Sequence, residues 1–151
     1  LDALIELGNA VSAQDPVHLK KFREALEHEN ACFRYWGAMG CVILGEQAAE
    51  AKPDLVARLE DSSPLVRLEA ARALAGLGAK AEAIPTIHSF LAGKSTQILA
   101  LRATLAVDEC NLLETEPGLR DALKEAKGAY SARVVEKLLS GSTAHSPQPQ
   151  D

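Results

Sequence analysis

The sequence predicts an all-α fold, a right-handed α-α superhelix of about four helix pairs, on three observations. The first is composition: among 151 residues the apolar content is spent on 26 Ala and 22 Leu, against 8 Val, 5 Ile and 5 Thr, with aromatic residues at only 4%. Ala and Leu lose little side-chain entropy in a helix, whereas strands favour the β-branched and aromatic residues that are scarce here. A β-sandwich, a barrel and a parallel-sheet nucleotide fold are therefore disfavoured. The second is self-similarity at a shift of 32 or 33 residues, the mark of stacked supersecondary units. The third is punctuation: the units open at Asn, Asp or Ser, which cap helix N-termini, and their first helices close at Leu-Gly. Each pair then buries its apolar face against its neighbours rather than around one central nucleus.

The elements follow in order. Residues 2–13 form a first helix, and Asp15-Pro16 opens a second whose apolar positions are Leu19, Phe22 and Leu26; together they make one diverged pair. The clear units are 28–59 and 61–92. Overlaying 27–45 on 60–78 at a shift of 33 pairs Arg34 with Arg67, Ala38 with Ala71, and Leu44-Gly45 with Leu77-Gly78. Overlaying 51–59 on 83–91 at a shift of 32, and continuing to 116–123, aligns Pro53, Pro85 and Pro117, then Leu59, Leu91 and Leu123. In each clear unit the first helix starts at Asn30, or at Asp61 to Ser63 with Pro64 in the first turn, and stops at Gly45 or Gly78. The second helix spans 47–59 or 80–91, with proline near its start, where a missing amide proton costs least. Small residues (Gly37, Ala38, Gly40; Ala70, Ala71, Ala73) crowd the first helices and permit an approach of about 8 Å.

After these units, residues 95–107 supply a third first-type helix with Ile98, Leu101 and Leu105 as its apolar positions and Asp108-Glu109-Cys110 in place of the exit glycine. A loop, 111–115, leads to a helix beginning near Glu116. Residues 130–139 form a final helix, with Arg133 at a shift of 66 from Arg67. The repeat domain is thus expected over 1–139. Residues 140–151 form a polar tail with no apolar residue worth burying.

Charge and cysteine usage narrow the function. A net charge of −5 and a pI near 5.4 lack the Lys and Arg surplus that phosphate neutralisation requires, so no nucleic-acid partner is expected. No apolar run reaches the ~18 residues of a bilayer span, and no leader is evident, so no membrane partner is expected either. The chain starts at Leu1 rather than Met, the expectation for a processed protein or a piece of a longer one. Three cysteines, Cys32, Cys41 and Cys110, form no Cys-x-x-Cys and have no nearby His at ligand spacing, so neither a disulfide framework nor a zinc site is indicated.

The stretch Glu60-Asp-Ser-Ser-Pro-Leu-Val-Arg-Leu-Glu-Ala-Ala-Arg-Ala-Leu-Ala-Gly-Leu-Gly78, with its Asp, Pro, Val-Arg, paired Ala and Leu-Gly ending, resembles the HEAT repeat, in particular the bacterial subtype named after phycobilisome lyases. The resemblance covers roughly 15–125 and implies a HEAT/ARM-type solenoid. A second similarity rests on Asp15-Pro16, Phe33-Arg-Tyr-Trp-Gly-Ala-Met-Gly40, Ser63-Pro-Leu-Val-Arg-Leu68 and Tyr130-Ser-Ala-Arg-Val134. That order is similar to the HEAT-like region trailing the catalytic domain of some bacterial sulfatases. Family catalysis uses a formylglycine made in a Cys/Ser-x-Pro/Ala-x-Arg motif and a carboxylate-rich calcium site. Cys32, Cys41 and Cys110 are followed by Phe, Val and Asn rather than that motif. The resemblance therefore implies a non-catalytic accessory domain of a secreted or periplasmic parent, with an upstream catalytic domain as partner.

Cys41 lies opposite Leu74 and reads as a core position, Cys110 as the more exposed thiol. His18, His28, His88 and His145 have no metal-helix spacing. The acidic pairs Glu27/Glu29 and Asp108/Glu109 read as cap and loop charges. Arg34 and Arg67, recurring at one period, read as a structural ladder that bonds carboxylates or loop carbonyls of an adjacent repeat, alongside the repeat prolines Pro53, Pro85 and Pro117. Tyr35 and Trp36 align with Leu68 and Glu69. Tyr35 is expected in the helix interface, and Trp36, opposite a charged counterpart, is the candidate interface residue for docking another domain. No catalytic residue, cofactor or metal is indicated. Two further readings stay open: a free-standing HEAT scaffold that binds a protein partner, and a chromophore-lyase-like protein, which needs a tetrapyrrole-sized groove.

Overall fold

The computed structural model describes residues 2–92, 95–125 and 132–140, and among these every regular element is helical. In chain order they are α1 (Asp2–Ala13); α2 (Leu19–Leu26), entered through a 3-10 turn Pro16–His18; α3 (Ala31–Leu44); α4 (Lys52–Ala57), between 3-10 turns Gly45–Ala51 and Arg58–Glu60; α5 (Pro64–Gly76); α6 (Lys80–Ala92); α7 (Gln97–Glu109); α8 (Leu112–Thr115); α9 (Leu119–Glu125); and α10 (Ala132–Leu139). Helices α1, α3, α5, α7 and α10 succeed one another in a first layer, each touching the next. The second layer holds α2, α4, α6 and α9, with α2 against α4 and α6 against α9. The fold is an α-α solenoid, and the core runs between the layers.

Local chemistry sets the boundaries. Asn30 caps α3, its Oδ1 accepting the Cys32 amide at 2.8 Å, and Pro64 occupies the first turn of α5. Gly45 and Gly78 take φ of +55° and +80°, a region that side chains rarely adopt. At Gly78 the chain reverses through paired bonds, Ala79 N–H to the Leu74 carbonyl (2.9 Å) and Gly78 N–H to the Ala75 carbonyl (3.1 Å), which satisfy the last carbonyls of α5. The small residues of α3 bring it onto α2. A Cβ at Gly37 would lie 2.7 Å from the Phe22 carbonyl oxygen, and one at Gly40 2.6 Å from the Phe22 ring.

Several expectations need correction. The helix expected over 47–59 is three pieces, kinked at Ala48 (φ −89°, ψ 15°). Pro53 withholds the amide a continuous helix would donate to Ala49, and the preceding turn tightens into 3-10 geometry. Pro85 instead lies inside α6 rather than near its start; it and Ala81, whose carbonyl loses that donor, are both exposed, so water can replace the bond. Pro117 sits in a turn, with α9 starting at Leu119 rather than near Glu116. Helix α7 runs on to Glu109. Asn111, at φ 48°, provides the left-handed residue beyond its end, and the expected loop contains α8. The apolar face of α7 is also rotated. Ile98 is 68% exposed, and Leu99, Ala103, Ala106 and Val107 face the core instead. Eight of the thirteen residues of α7 are apolar and they fall on all sides of the helix, so periodicity selects no face, and close packing takes the alanines. Tyr130, Ser131, His145 and residues 141–151 of the expected tail lie outside the described residues, as does the side chain of Ala132.

Candidate functional site

Arg34 ties one repeat to the next. From α3 its Nε donates to Asp61 Oδ2 at 2.7 Å and its Nη2 to Oδ1 at 2.9 Å, a planar fork onto a carboxylate. Its Nη1 donates to the carbonyls of His28 (2.9 Å) and Glu29 (2.7 Å). The same carboxylate accepts the Ser63 amide at 2.9 Å and so orders the entry to α5. Hydrogen bonding to Asp61 raises the Arg34 pKa. Burial works to raise that of Asp61, but the bonds from Arg34 and the Ser63 amide, with the charges of Arg34 and Arg58, prevail and lower it. Arg67 repeats the carbonyl half of the arrangement, Nη1 reaching Asp61 O at 2.7 Å and Ser62 O at 3.5 Å, and its guanidinium lies 5.8 Å over the Phe90 ring. One period beyond Asp61 the sequence has Lys94, so no carboxylate recurs there for Arg67 to grip.

Tyr35 and Trp36 are both half-buried on α3, edge to face with centroids 5.6 Å apart. With Leu4, Cys32 and Leu65 they line a shallow apolar pocket of about 210 Å³. The inference drawn for Trp36 from a charged counterpart does not carry over, because Glu69 is 0% exposed. Its Oε2 accepts from Arg72 Nη1 at 2.7 Å and its Oε1 from Arg102 Nε at 2.9 Å. Arg102 Nη2 then donates to the Tyr35 hydroxyl at 3.0 Å, with the guanidinium 5.6 Å from that ring. Arg72 Nη2 continues to Glu109 at 2.6 Å. Burial lowers the Arg72 pKa, but Glu69 and Glu109 outweigh it and leave it raised. The network spans α3, α5 and α7 and holds the Tyr35 ring in place. The signal for it was present: at a shift of 33, Trp36, Glu69 and Arg102 share one repeat position.

In the second layer a groove of about 640 Å³ separates α2 from the 45–60 segment. Pro16, Val17 and Leu19 give it apolar wall; Glu24, Glu27, Glu50 and Asp54 give it charge. Arg23 crosses it to Asp54 at 2.6 Å, and the bond to Asp54 raises the Arg23 pKa.

The remaining candidates have local explanations. Cys41 is fully buried, and burial pushes its thiol up to about 12. Cys110 is half-buried and also raised, by burial and then by Glu109. Cys32 is exposed. His28 Nδ1 accepts the Asn30 amide at 3.0 Å while its ring stacks on Phe33. The Glu29 carbonyl serves Arg34, and Glu109 serves Arg72. Among the described residues no group of three His, Cys, Asp or Glu side chains could hold a metal ion, and no helix is long and apolar enough to cross a membrane.

Paired helices stacked in two layers, with inter-repeat ion pairs and surface grooves, define an α-solenoid of the kind that presents contact surfaces. The model of the family described as HEAT repeats matches residues 19–108, more than half of the chain, and the chain belongs to that family. No curated protein and no solved structure matches it. HEAT repeats commonly mediate protein interactions, and domains built from them are generally non-catalytic.

Proposed function

We propose that this chain is a non-catalytic docking module that seats another protein domain on the edge formed by Tyr35 and Trp36. The observation that carries this reading is the half-exposed aromatic pair beside the apolar pocket, braced from behind by Arg102 and Glu69. Rigid aromatic anchors lose little entropy on binding and concentrate at interfaces. The resemblance of Phe33-Arg-Tyr-Trp36 and its companion strings to the region trailing some sulfatase catalytic domains supports an accessory role in such a parent. The docked surface is then its upstream catalytic domain, and the module positions or stabilises that domain.

The test is Trp36→Ala in the full-length parent, read by limited proteolysis and small-angle scattering. Faster cleavage between the domains and a larger radius of gyration are expected; an unchanged digestion pattern and shape overturn the reading. The chain alone should be inert toward aryl sulfates, and measurable turnover would contradict its non-catalytic role.

A further inference from the structure

The second-layer groove lies on different elements from the aromatic edge and shares no residue with it. We propose that it is a docking site for a cationic amphipathic protein segment. Val17, on its lip, is 73% exposed, so the chain leaves apolar surface uncovered beside a channel large enough for the side chains of a bound segment. Around that surface stand four carboxylates against two cations. One cation is already committed, since Arg23 is held by Asp54 at 2.6 Å. The remaining ion pairs of the groove are at the limit of ion-pair distance, Lys20 to Glu24 at 3.9 Å and a second contact of Arg23, to Glu50, at 4.0 Å. The Glu24 and Glu50 side chains are 67% and 81% exposed, so their oxygens stay open to a partner.

The charge chooses the occupant. An excess of carboxylates repels nucleic acid and anionic bilayers, and attracts Lys or Arg. Charge alone does not account for Pro16, Val17 and Leu19, which need apolar side chains laid against them. A segment with basic residues on its flanks and an apolar stripe meets both demands, in the manner of a helix laid in a groove.

The probe is a labelled ~18-residue amphipathic helix of Lys and Leu, with a Glu and Leu helix of the same pattern as its control. Titrated into this chain, the Lys peptide should saturate at one per chain. Glu24→Gln/Glu27→Gln/Glu50→Gln should weaken it about tenfold, the combined effect of three exposed pairs. Val17→Ser should weaken it by a smaller factor. Removing three exposed charges outside the groove's elements, Glu114→Gln/Glu116→Gln/Glu136→Gln, should change affinity less than about twofold beyond ordinary screening. Trp36→Ala should leave it unaltered, which separates this site from the docking reading above. Carbodiimide crosslinking of the peptide to the unsubstituted chain should mark Glu24 or Glu50. Equal loss in the two triple variants, equal binding of the Glu peptide, crosslinks only elsewhere, or no saturable binding overturns the proposal.

Discussion

Arg34 of α3 grips Asp61 at the entrance to α5 through two bonds, 2.7 and 2.9 Å long, with the Asp61 side chain 2% exposed. The pair is a buried polar joint between two repeats, set beside the packing of α3 on α5. Asp61→Ala strands the guanidinium, whose remaining partners are loop carbonyls, and should destabilise the chain by about 3 kcal/mol. Arg34→Lys keeps the charge but not the fork, and should lose more than half as much. Urea unfolding of both single variants and of Arg34→Ala/Asp61→Ala checks this. A coupling energy below about 0.5 kcal/mol would mean the joint is incidental.

The same joint makes stability depend on acidity. Asp61 has a lowered pKa when folded, against an ordinary value of 3.8. The unfolded chain therefore binds this proton more readily, and the contribution is fully present above 3.8 and lost as pH falls through the lower folded-state value. The stability gap between the natural chain and Asp61→Asn should be constant from neutral pH down to about 5 and shrink below 3.8. Urea midpoints along a pH series measure it, and a gap that widens in acid would contradict the assignment.

How far this was legible in the sequence varies by residue. Gly45, Gly78, Asn30 and Pro64 act through local chemistry, φ, a side-chain cap or a ring, so they were readable without tertiary information. The recurrence of Arg34 and Arg67 was readable too, though not that Arg34 takes a carboxylate and Arg67 an aromatic face, because Asp61 and Phe90 are set by packing. Glu69 was misleading: a charge at a repeat position suggests solvent, yet two arginines from α5 and α7 enclose it. In α7, Ile98 and Leu99 are equally apolar, and only the docking of Ala103 and Ala106 decides which is buried. The groove beside Val17 depends on the 3-10 distortion before Pro53, which no spacing rule anticipates.

Glu69 should be as sensitive a polar position as Asp61. Glu69→Gln leaves Arg72 and Arg102 facing a neutral amide, and the cost should be about 3 kcal/mol, the usual scale for breaking a buried pair. The fluorescence of the Tyr35–Trp36 pair should shift as Arg102 is released. Replacing acid and partner together, Glu69→Leu/Arg102→Leu, should recover part of the loss, since an apolar pair carries no desolvation penalty. A double variant no better than Glu69→Gln would show that the ions do more than neutralise one another.

Glycine substitutions should separate by sign. Gly8, within α1, has nothing within 4 Å of a built Cβ, so Gly8→Ala should stabilise by about 0.5–1 kcal/mol through helix propensity. Gly40→Ala forces a methyl to 2.6 Å from the Phe22 ring, and should cost about 1–3 kcal/mol despite the same gain in propensity. Gly78→Ala has open space but a φ of +80°, and should cost about 1 kcal/mol from backbone strain alone. Thermal melts of the three variants test the order; a stabilised Gly40→Ala would mean that α2 and α3 can separate at little cost.

The cysteines report which parts of the stack open. Cys32 is exposed at the start of α3, Cys110 is half-buried after α7, and Cys41 is fully buried within α3. A thiol pushed up to about 12 leaves about one thiolate in ten thousand at pH 8, and alkylation proceeds through the thiolate. Iodoacetamide should therefore modify Cys32 within minutes, Cys110 more slowly, and Cys41 only when α3 leaves its neighbours. Because the packing runs mainly between successive helices of the stack, that opening can be local. If Asp61→Ala accelerates Cys41 labelling by a larger factor than its effect on global stability predicts, the Arg34–Asp61 joint controls separation of the repeats. Equal factors would place Cys41 exposure in whole-chain unfolding.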